Sequence, residues 1–176
     1  MFLDSLRELK KARSLTLCGV LIAIYVVLNT LAIFVTPSIK LTFSYVALAA
    51  IAMLFGPTVA FFAGGIGDVL GYFLRANPGA LHPGLTLSVM LSGLIYGIFL
   101  YRRDLTLWRI ILAKALVNLC INIFLNTYWL SNLYGDAYLV LLPERVVKNL
   151  ALLPIEVALI FLVLKTVTLV NHRRTT

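Results

Sequence analysis

Three asparagines recur at every fourth position of the apolar stretch "NLCINIFLNTYWL", which ends near Tyr128 and Trp129. On a helix, Asn118, Asn122 and Asn126 project from nearly the same side. An amide offers both a hydrogen-bond donor and an acceptor, so amides beside an aromatic ring are suited to reading a flat, polar ring. The alternative role is contact between helices, where each such bond contributes about 0.6 kcal/mol. We favour helix contact for Asn118 and ligand contact for Asn126.

Two further segments carry basic and polar residues that could complete such a site. The segment "RANPGALHPGLT" contains Arg75, His82 and Thr86, and we expect it to form a proline–glycine loop over a pocket. The segment "LLPERVVKN" sets Arg145 and Asn149 at the outer start of a helix. Arginine pairs well with carboxylates, although anchoring to lipid headgroups is an alternative for basic residues there. Together these residues predict a binding cup for a small polar acid.

The composition places these residues in a membrane protein. The 176 residues are 61% hydrophobic and 12% charged, with a mean hydropathy of +1.00, whereas soluble domains are about half apolar and about a quarter charged. The net charge of +8 comes mostly from basic residues at the ends of apolar segments. This distribution indicates lipid headgroups and membrane orientation, and no nucleic acid partner.

Apolar segments separated by turn residues predict an all-α membrane protein with six transmembrane helices. The predicted spans are Leu15–Val35, Phe43–Phe55, Pro57–Leu74, Leu85–Tyr101, Leu107–Leu130 and Val146–Val170. The second span is too short to cross a bilayer comfortably, which indicates a helix beside a cavity. Basic residues are concentrated at the N-terminus, the fourth connection and the C-terminus. The positive-inside rule therefore predicts cytoplasmic N- and C-termini and an outward-facing ligand cavity.

The start of the chain, "MFLDSLRELKKARS", is charged and does not have the form of a signal peptide. We expect residues 1–14 to form an amphipathic helix on the cytoplasmic leaflet. Residues 15–176 are then predicted to form a single membrane domain.

Charged residues inside the predicted spans have structural interpretations. Asp68, within "GGIGDVLG", is expected to bond to neighbouring amides or hydroxyls. Glu156 and Lys114 either pair with each other, or Lys114 extends towards the cytoplasm. The sequence contains no GxxxxGK[ST] loop, HExxH motif or GxSxG elbow. We therefore predict no catalytic residue, no metal site and no ATPase motif of its own.

Several segments, taken in order, are similar to a known family. They include "MLFGPTVAFFAGGIGDVLGY", "LTLWRI", "LNTYWLS" and "LLPERVVKNL". The chain resembles the substrate-binding S components of energy-coupling factor (ECF) vitamin transporters, most closely their folate-specific branch. The resemblance implies a six-helix vitamin-capture protein of the bacterial cell membrane, which topples to deliver its ligand to a transmembrane coupling protein. Two ATPase subunits would drive uptake and use the ATP, and the S component would need no cofactor besides its ligand, folate.

The resemblance, together with the asparagine spacing, defines the candidate residues. The predicted substrate-binding set is Tyr72, Arg75, His82, Thr86, Asn122, Asn126, Trp129, Arg145 and Asn149. Arg75 stands where the family usually has an apolar residue, so it either binds a carboxylate or anchors the helix end. Ala12, Gly19 and Ala23 loosely match a small-residue motif for contact with the coupling protein, and packing against this protein's own helices is an equal alternative.

These features predict high-affinity folate capture, with the pterin ring between aromatic and amide groups and the glutamate carboxylates near the outward cations. One alternative is the same architecture with another vitamin, such as pantothenate or thiamine. A second is a small polytopic membrane enzyme that uses Asp68 and Glu156. A third is a scaffold whose asparagines only join helices.

Overall fold

The computed structural model describes Ser5 and residues 12–31, 33–34, 40–74, 82–135 and 138–172. In this part of the chain six helical rods follow one another, and the predicted all-α architecture with six helices is confirmed. The first four are α1 (Ala12–Thr30), α2 (Ser44–Phe55), α3 (Pro57–Phe73) and α4 (Pro83–Leu100). The fifth rod consists of α5 (Leu107–Leu116), a π-helical segment (Val117–Leu125, the π segment) and α6 (Asn126–Tyr134), and the sixth is α7 (Tyr138–His172). Between α1 and α2, β1 (Ile33–Phe34) pairs antiparallel with β2 (Lys40–Leu41).

The rods run between two ends, which we name after residues found there. At the Gly56 end, a Cβ added to Gly56 would lie 2.9 Å from Ser5 Oγ and 3.2 Å from Tyr101 Cγ. The α2–α3 turn, the residue after α4 and Ser5 therefore meet at this end. At the His82 end, the rings of His82 and Trp129 are 5.4 Å apart, so the start of α4 lies beside α6.

The turn between α2 and α3 is built on Gly56 and Pro57. Gly56 has a φ of 90°, a conformation that glycine adopts without strain, and Pro57 occupies the first position of α3, where its missing N–H is not needed. Because Gly56 has no side chain to cap α3, the Ser5 hydroxyl takes that role by accepting from the Val59 N–H at 3.2 Å. It also donates to the carbonyl oxygen of Phe55.

Helix α2 lies at the centre of the bundle. It has 12 residues, of which nine are buried, and at 1.5 Å per residue it is only about 18 Å long. Its alanine-rich sequence lets α1, α3 and α4 pack around it. The predicted short second helix is therefore present.

Helices α3 and α4 pack closely through glycine. A Cβ on Gly93 would overlap the backbone of Ala60, and one on Gly97 would overlap the backbone of Pro57. Small residues of this kind bring helix backbones together in membranes, where van der Waals contact replaces the hydrophobic effect as the main driving force.

Among the residues that the structure describes, three helical segments are long and apolar enough to cross a bilayer: Pro83–Leu100, Leu107–Leu133 and Arg145–Leu169. Ser14–Thr30 and Ser44–Phe55 are shorter apolar helices. Large apolar side chains such as Phe62, Ile98 and Leu162 are exposed on the outside of the bundle. A surface of this kind belongs in lipid, and the structure is that of a membrane protein.

Several predicted boundaries were wrong. Helix α1 ends at Thr30, before the β1–β2 pair, and not at residue 35. Helix α4 begins at Pro83 because proline suits the first helical position and His82 caps it. Helix α7 begins at Tyr138, before the predicted start at Val146, and continues through Pro143. The predicted division at residue 14 lies within α1 and stays a prediction, since most of residues 1–11 lie outside the described part.

Candidate ligand-binding site

The three asparagines form a hydrogen-bonded ladder along the fifth rod. Asn122 Nδ2 donates to Asn118 Oδ1 at 2.9 Å, and Asn126 Nδ2 donates to Asn122 Oδ1 at 3.2 Å. Asn118 Nδ2 also donates across to α7, to Glu156 Oε2 at 3.2 Å and to the carbonyl oxygen of Asn149 at 3.3 Å. Asn118 therefore joins two helices, as its predicted role requires.

A buried ion pair lies at the deep end of this asparagine ladder. Lys114 Nζ is 3.1 Å from Glu156 Oε2, and the lysine side chain is only 2% exposed. The same ammonium lies 4.2 Å from the ring centroid of Tyr45, in the first turn of α2. Of the two roles considered for Lys114, pairing with Glu156 is the one observed. Because a lone buried charge is costly in a membrane interior, each partner makes the other tolerable.

Arg145 and Asn149 face the asparagine ladder from α7. Both are buried. Arg145 donates from a terminal guanidinium nitrogen to the carbonyl oxygen of Asn122 at 3.4 Å, and Asn149 Nδ2 donates to the Arg145 carbonyl oxygen at 2.8 Å. Their four-residue spacing puts both side chains on one face of the helix. Arg145 is therefore directed into the protein, and anchoring to lipid headgroups does not describe it.

Trp129 lies against the first turn of α4. Its indole occupies the space that a side chain on Gly84 would need, and its ring is tilted by 43° against that of His82. His82 Nδ1 accepts from the Gly84 N–H at 3.1 Å and so caps the helix. The "HPGLT" segment was predicted as a loop, but residues 83–86 are helical.

Thr86 and Tyr72 lie on the neighbouring helices. Thr86 Oγ1 donates to Asp68 Oδ2 at 2.9 Å, which gives Asp68 the hydroxyl partner that we expected. This bond joins α3 to α4. Tyr72 is half-buried near the end of α3, and Arg75 lies outside the described residues. The ligand contacts of these three predicted site residues stay predictions.

Asn126 Oδ1 and Trp129 Nε1 are buried and have no hydrogen-bond partner within the described residues. Leaving such a group unsatisfied costs about 1–3 kcal/mol. The two residues are three apart, so they are neighbours on one side of α6. One atom accepts a hydrogen bond and the other donates one, and both could be satisfied by a polar ligand.

The structure thus brings together five of the nine predicted residues, Asn122, Asn126, Trp129, Arg145 and Asn149, around the fifth rod and α7. His82 joins them through Trp129.

Sequence reasoning missed Gly84, although a glycine directly after a helix-starting proline is a signal for close approach of another group. It also missed the π segment, for which the sequence gives no signal. Among the described residues, no three His, Cys, Asp or Glu side chains are arranged to hold a metal ion.

The small residues of α1 lie on its outer surface. Ala12, Gly19 and Ala23 are exposed, and a Cβ added to Gly19 would meet no described atom within 4 Å. Packing against the protein's own described helices therefore does not explain this small-residue face.

Comparison with known proteins agrees with this architecture. The model of the family "ECF transporter, substrate-specific component" matches residues 13–164. A protein of Clostridium novyi named folate transporter FolT is 33% identical over 153 residues, which are 87% of this chain and 88% of the relative. A FolT of Leuconostoc mesenteroides is 35% identical over 158 residues, 86% of this chain and 84% of the relative. The crystal structure of a FolT bound with folic acid is 37% identical and superposes with a TM-score of 0.80, over 88% of this chain and 95% of that one. The chain belongs to the family of substrate-specific components of ECF transporters.

Proposed function

We propose that this protein is the high-affinity folate-binding subunit of an ATP-driven ECF transporter. The relatives named as folate transporters, and the solved relative that holds folic acid, support the choice of vitamin. The observation that carries the proposal for this chain is the buried pair of unsatisfied atoms, Asn126 Oδ1 and Trp129 Nε1. Without a ligand, the missing hydrogen bonds of these two atoms cost free energy, whereas a bound ligand can supply them.

The chemistry of folate fits the residues around this pair. A pterin ring is flat and carries donors and acceptors along its edge, so it complements an amide oxygen, an indole N–H and the neighbouring His82 ring. The buried guanidinium of Arg145 suits a glutamate carboxylate. Tyr72 on α3 and Thr86 on α4 belong to the proposed set, as does Arg75, which lies outside the described residues, and Asn149 holds the backbone of Arg145.

The distribution of charge supports an outward-facing site. Arg102 and Arg103 are exposed at the Gly56 end, which the positive-inside rule assigns to the cytoplasm. The His82 end, with Trp129 and Asn126, then faces outside. Both termini of the chain lie on the cytoplasmic side of the cell membrane in this orientation.

The small-residue face of α1 is the proposed contact with the coupling protein. An exposed glycine and two exposed alanines let another helix approach closely. Two ATPase subunits bound to the coupling protein would supply the energy, since the sequence of this chain contains no phosphate-binding loop.

The proposal is tested by ligand binding to the purified protein. Folic acid should stabilise it against thermal unfolding, by about 2.7 kcal/mol at a hundredfold excess over Kd, and pantothenate and thiamine should neither stabilise it nor compete. Arg145→Gln should weaken binding, while Arg103→Gln, the same change on an exposed arginine of the other end, should not. Stabilisation by another vitamin would reassign the ligand, and no stabilisation across a vitamin panel would favour the scaffold alternative.

A further inference from the structure

We infer that Glu156 decides, through the asparagine ladder, that the oxygen and not the nitrogen of the Asn126 amide faces the ligand. The site then selects a ligand with a hydrogen-bond donor at this position, such as a ring N–H or an exocyclic amino group. This inference rests on the proposed function, in which Asn126 contacts a folate-class ligand. Glu156 acts at a distance and is a positioning residue.

The polarity of the asparagine ladder is fixed at its deep end. Glu156 forms an ion pair with Lys114 at 3.1 Å, and a carboxylate only accepts hydrogen bonds. The second group facing Asn118 is the carbonyl oxygen of Asn149, which also only accepts. The Asn118 amide must therefore direct its nitrogen towards α7 and its oxygen towards Asn122.

The orientation of the Asn118 amide determines the orientation of the Asn122 amide, and through it that of the Asn126 amide. Because Asn118 presents an oxygen, Asn122 must donate to it, which turns the Asn122 oxygen towards Asn126. Asn126 must then donate in turn, and its own oxygen is left over. That oxygen is the buried atom without a partner among the described residues. Rotating any one amide would bring two oxygens or two N–H groups face to face in an environment of low dielectric constant.

The consequence is a defined pattern of recognition at the ligand. Asn126 turns its oxygen, which only accepts, towards the ligand, and the neighbouring Trp129 Nε1 only donates. A ligand edge with an adjacent donor and acceptor satisfies both atoms. An edge that presents an acceptor to Asn126 meets another lone pair and is rejected.

Exchanging the charges of Lys114 and Glu156 tests this relay, by which Glu156 sets the orientation of Asn126 through Asn118 and Asn122. The exchange should reverse the direction of the hydrogen bonds in the asparagine ladder. In the double variant Lys114→Glu/Glu156→Lys the ion pair is kept, but the side chain facing Asn118 becomes a pure donor. Its charge-assisted bond to the Asn118 oxygen outweighs the neutral bond to the Asn149 carbonyl oxygen, which still only accepts. Each amide should then rotate, so that Asn126 presents its nitrogen and folic acid binds more weakly. In this background, Asn126→Asp should restore binding by about tenfold, because a carboxylate accepts from Asn122 and still offers an oxygen to the ligand.

In the wild-type background the same Asn126→Asp change should weaken folic acid binding by about tenfold, since the carboxylate then faces the Asn122 oxygen. The effect of this single substitution is therefore expected to change sign between the two backgrounds. Asn132→Asp, the same change on an exposed residue of α6, should leave Kd unaltered in both. All dissociation constants are measured by calorimetry with folic acid.

An equal effect of Asn126→Asp in both backgrounds would overturn the inference and leave Glu156 a merely structural role. If the exchanged pair does not fold, Glu156→Gln replaces it. A glutamine can donate or accept, so the loss caused by Asn126→Asp should shrink clearly, and an undiminished loss would again overturn the relay. Absence of folic acid binding by the wild-type protein would instead refute the proposed function.

Discussion

The interface between α3 and α4 and the interface between the fifth rod and α7 hold helices together in different ways. The first consists of glycines packed on backbone, with Gly93 on Ala60 and Gly97 on Pro57. The second consists of an ion pair and a series of amides, from Lys114 and Glu156 to Asn126. The α3–α4 interface also has a polar bond between the helices, from Thr86 to Asp68.

The difference between these two interfaces shows where a ligand can form hydrogen bonds with the protein. A van der Waals contact between a glycine and a neighbouring backbone leaves no polar atom that a ligand could satisfy with a hydrogen bond. The asparagine ladder is satisfied at its deep end and ends at the other in two buried polar atoms without described partners. The glycine interface therefore stabilises the fold, whereas the polar interface joins helices and, in the proposed function, also binds the ligand.

Lys114→Met should have the largest effect on stability. It leaves the Glu156 carboxylate inside the bundle without its ammonium, and losing one partner of a buried pair costs about 3–5 kcal/mol. Unfolding in mixed detergent micelles measures the loss. The double variant Lys114→Met/Glu156→Met removes both charges and should recover most of the stability. A single variant as stable as the wild type would contradict the importance of the pair.

Gly93→Val should destabilise the glycine interface by about 2 kcal/mol. Its Cβ would overlap backbone atoms of Ala60, which cannot rotate away as a flexible side chain would. Gly19→Val is the matched control, since no described atom lies within 4 Å of an added Cβ there. The same unfolding assay applies, and equal stability of the two variants would mean that α3 and α4 do not rely on close approach.

Trp129→Phe should weaken folic acid binding by about tenfold, which corresponds to about 1.4 kcal/mol, with little loss of stability. The phenyl ring keeps contact with Gly84 and His82, while the unsatisfied indole N–H is lost. Calorimetry measures the affinity, and Trp108→Phe, on an exposed indole near the Gly56 end, is the control. Unchanged affinity would show that the indole nitrogen does not meet the ligand.

Thr86→Val should have the smallest effect, a loss of stability of about 0.6 kcal/mol, typical of a hydrogen bond between membrane helices. Valine keeps the shape of the side chain but removes the donor to Asp68. Thr86→Ser keeps that donor and should retain the stability. Comparing the folic acid affinity of both variants tests the predicted ligand contact of Thr86, because a drop in Thr86→Val alone would point to its hydroxyl and a drop in Thr86→Ser alone to its methyl group.

The sequence predicted the membrane-embedded helical class, the six helices, the short α2 and the alignment of the three asparagines along one helix. These follow from hydropathy and from helical spacing, which are local properties. The sequence predicts the sixth helix from Val146, whereas α7 begins at Tyr138, since a helix can continue through Pro143 when neighbouring groups compensate.

Features that depend on contacts between distant segments were not predictable. The stacking of Trp129 on the first turn of α4 and the approach of Lys114 to Tyr45 join residues on different rods. Helical spacing aligned the three asparagines, but the direction of their hydrogen bonds depends on Glu156, 38 residues from Asn118 along the chain. Hydropathy and spacing contain no information of this kind.

Ser5 has a practical consequence for handling the protein. It is fully buried and satisfies one backbone group at the end of α2 and one at the start of α3. Truncation that removes the first five residues would expose both groups at a turn that glycine and proline have already made rigid. Purification tags and fluorescent fusions are therefore better attached at the C-terminus, or before Met1 with a spacer, than in place of the first residues.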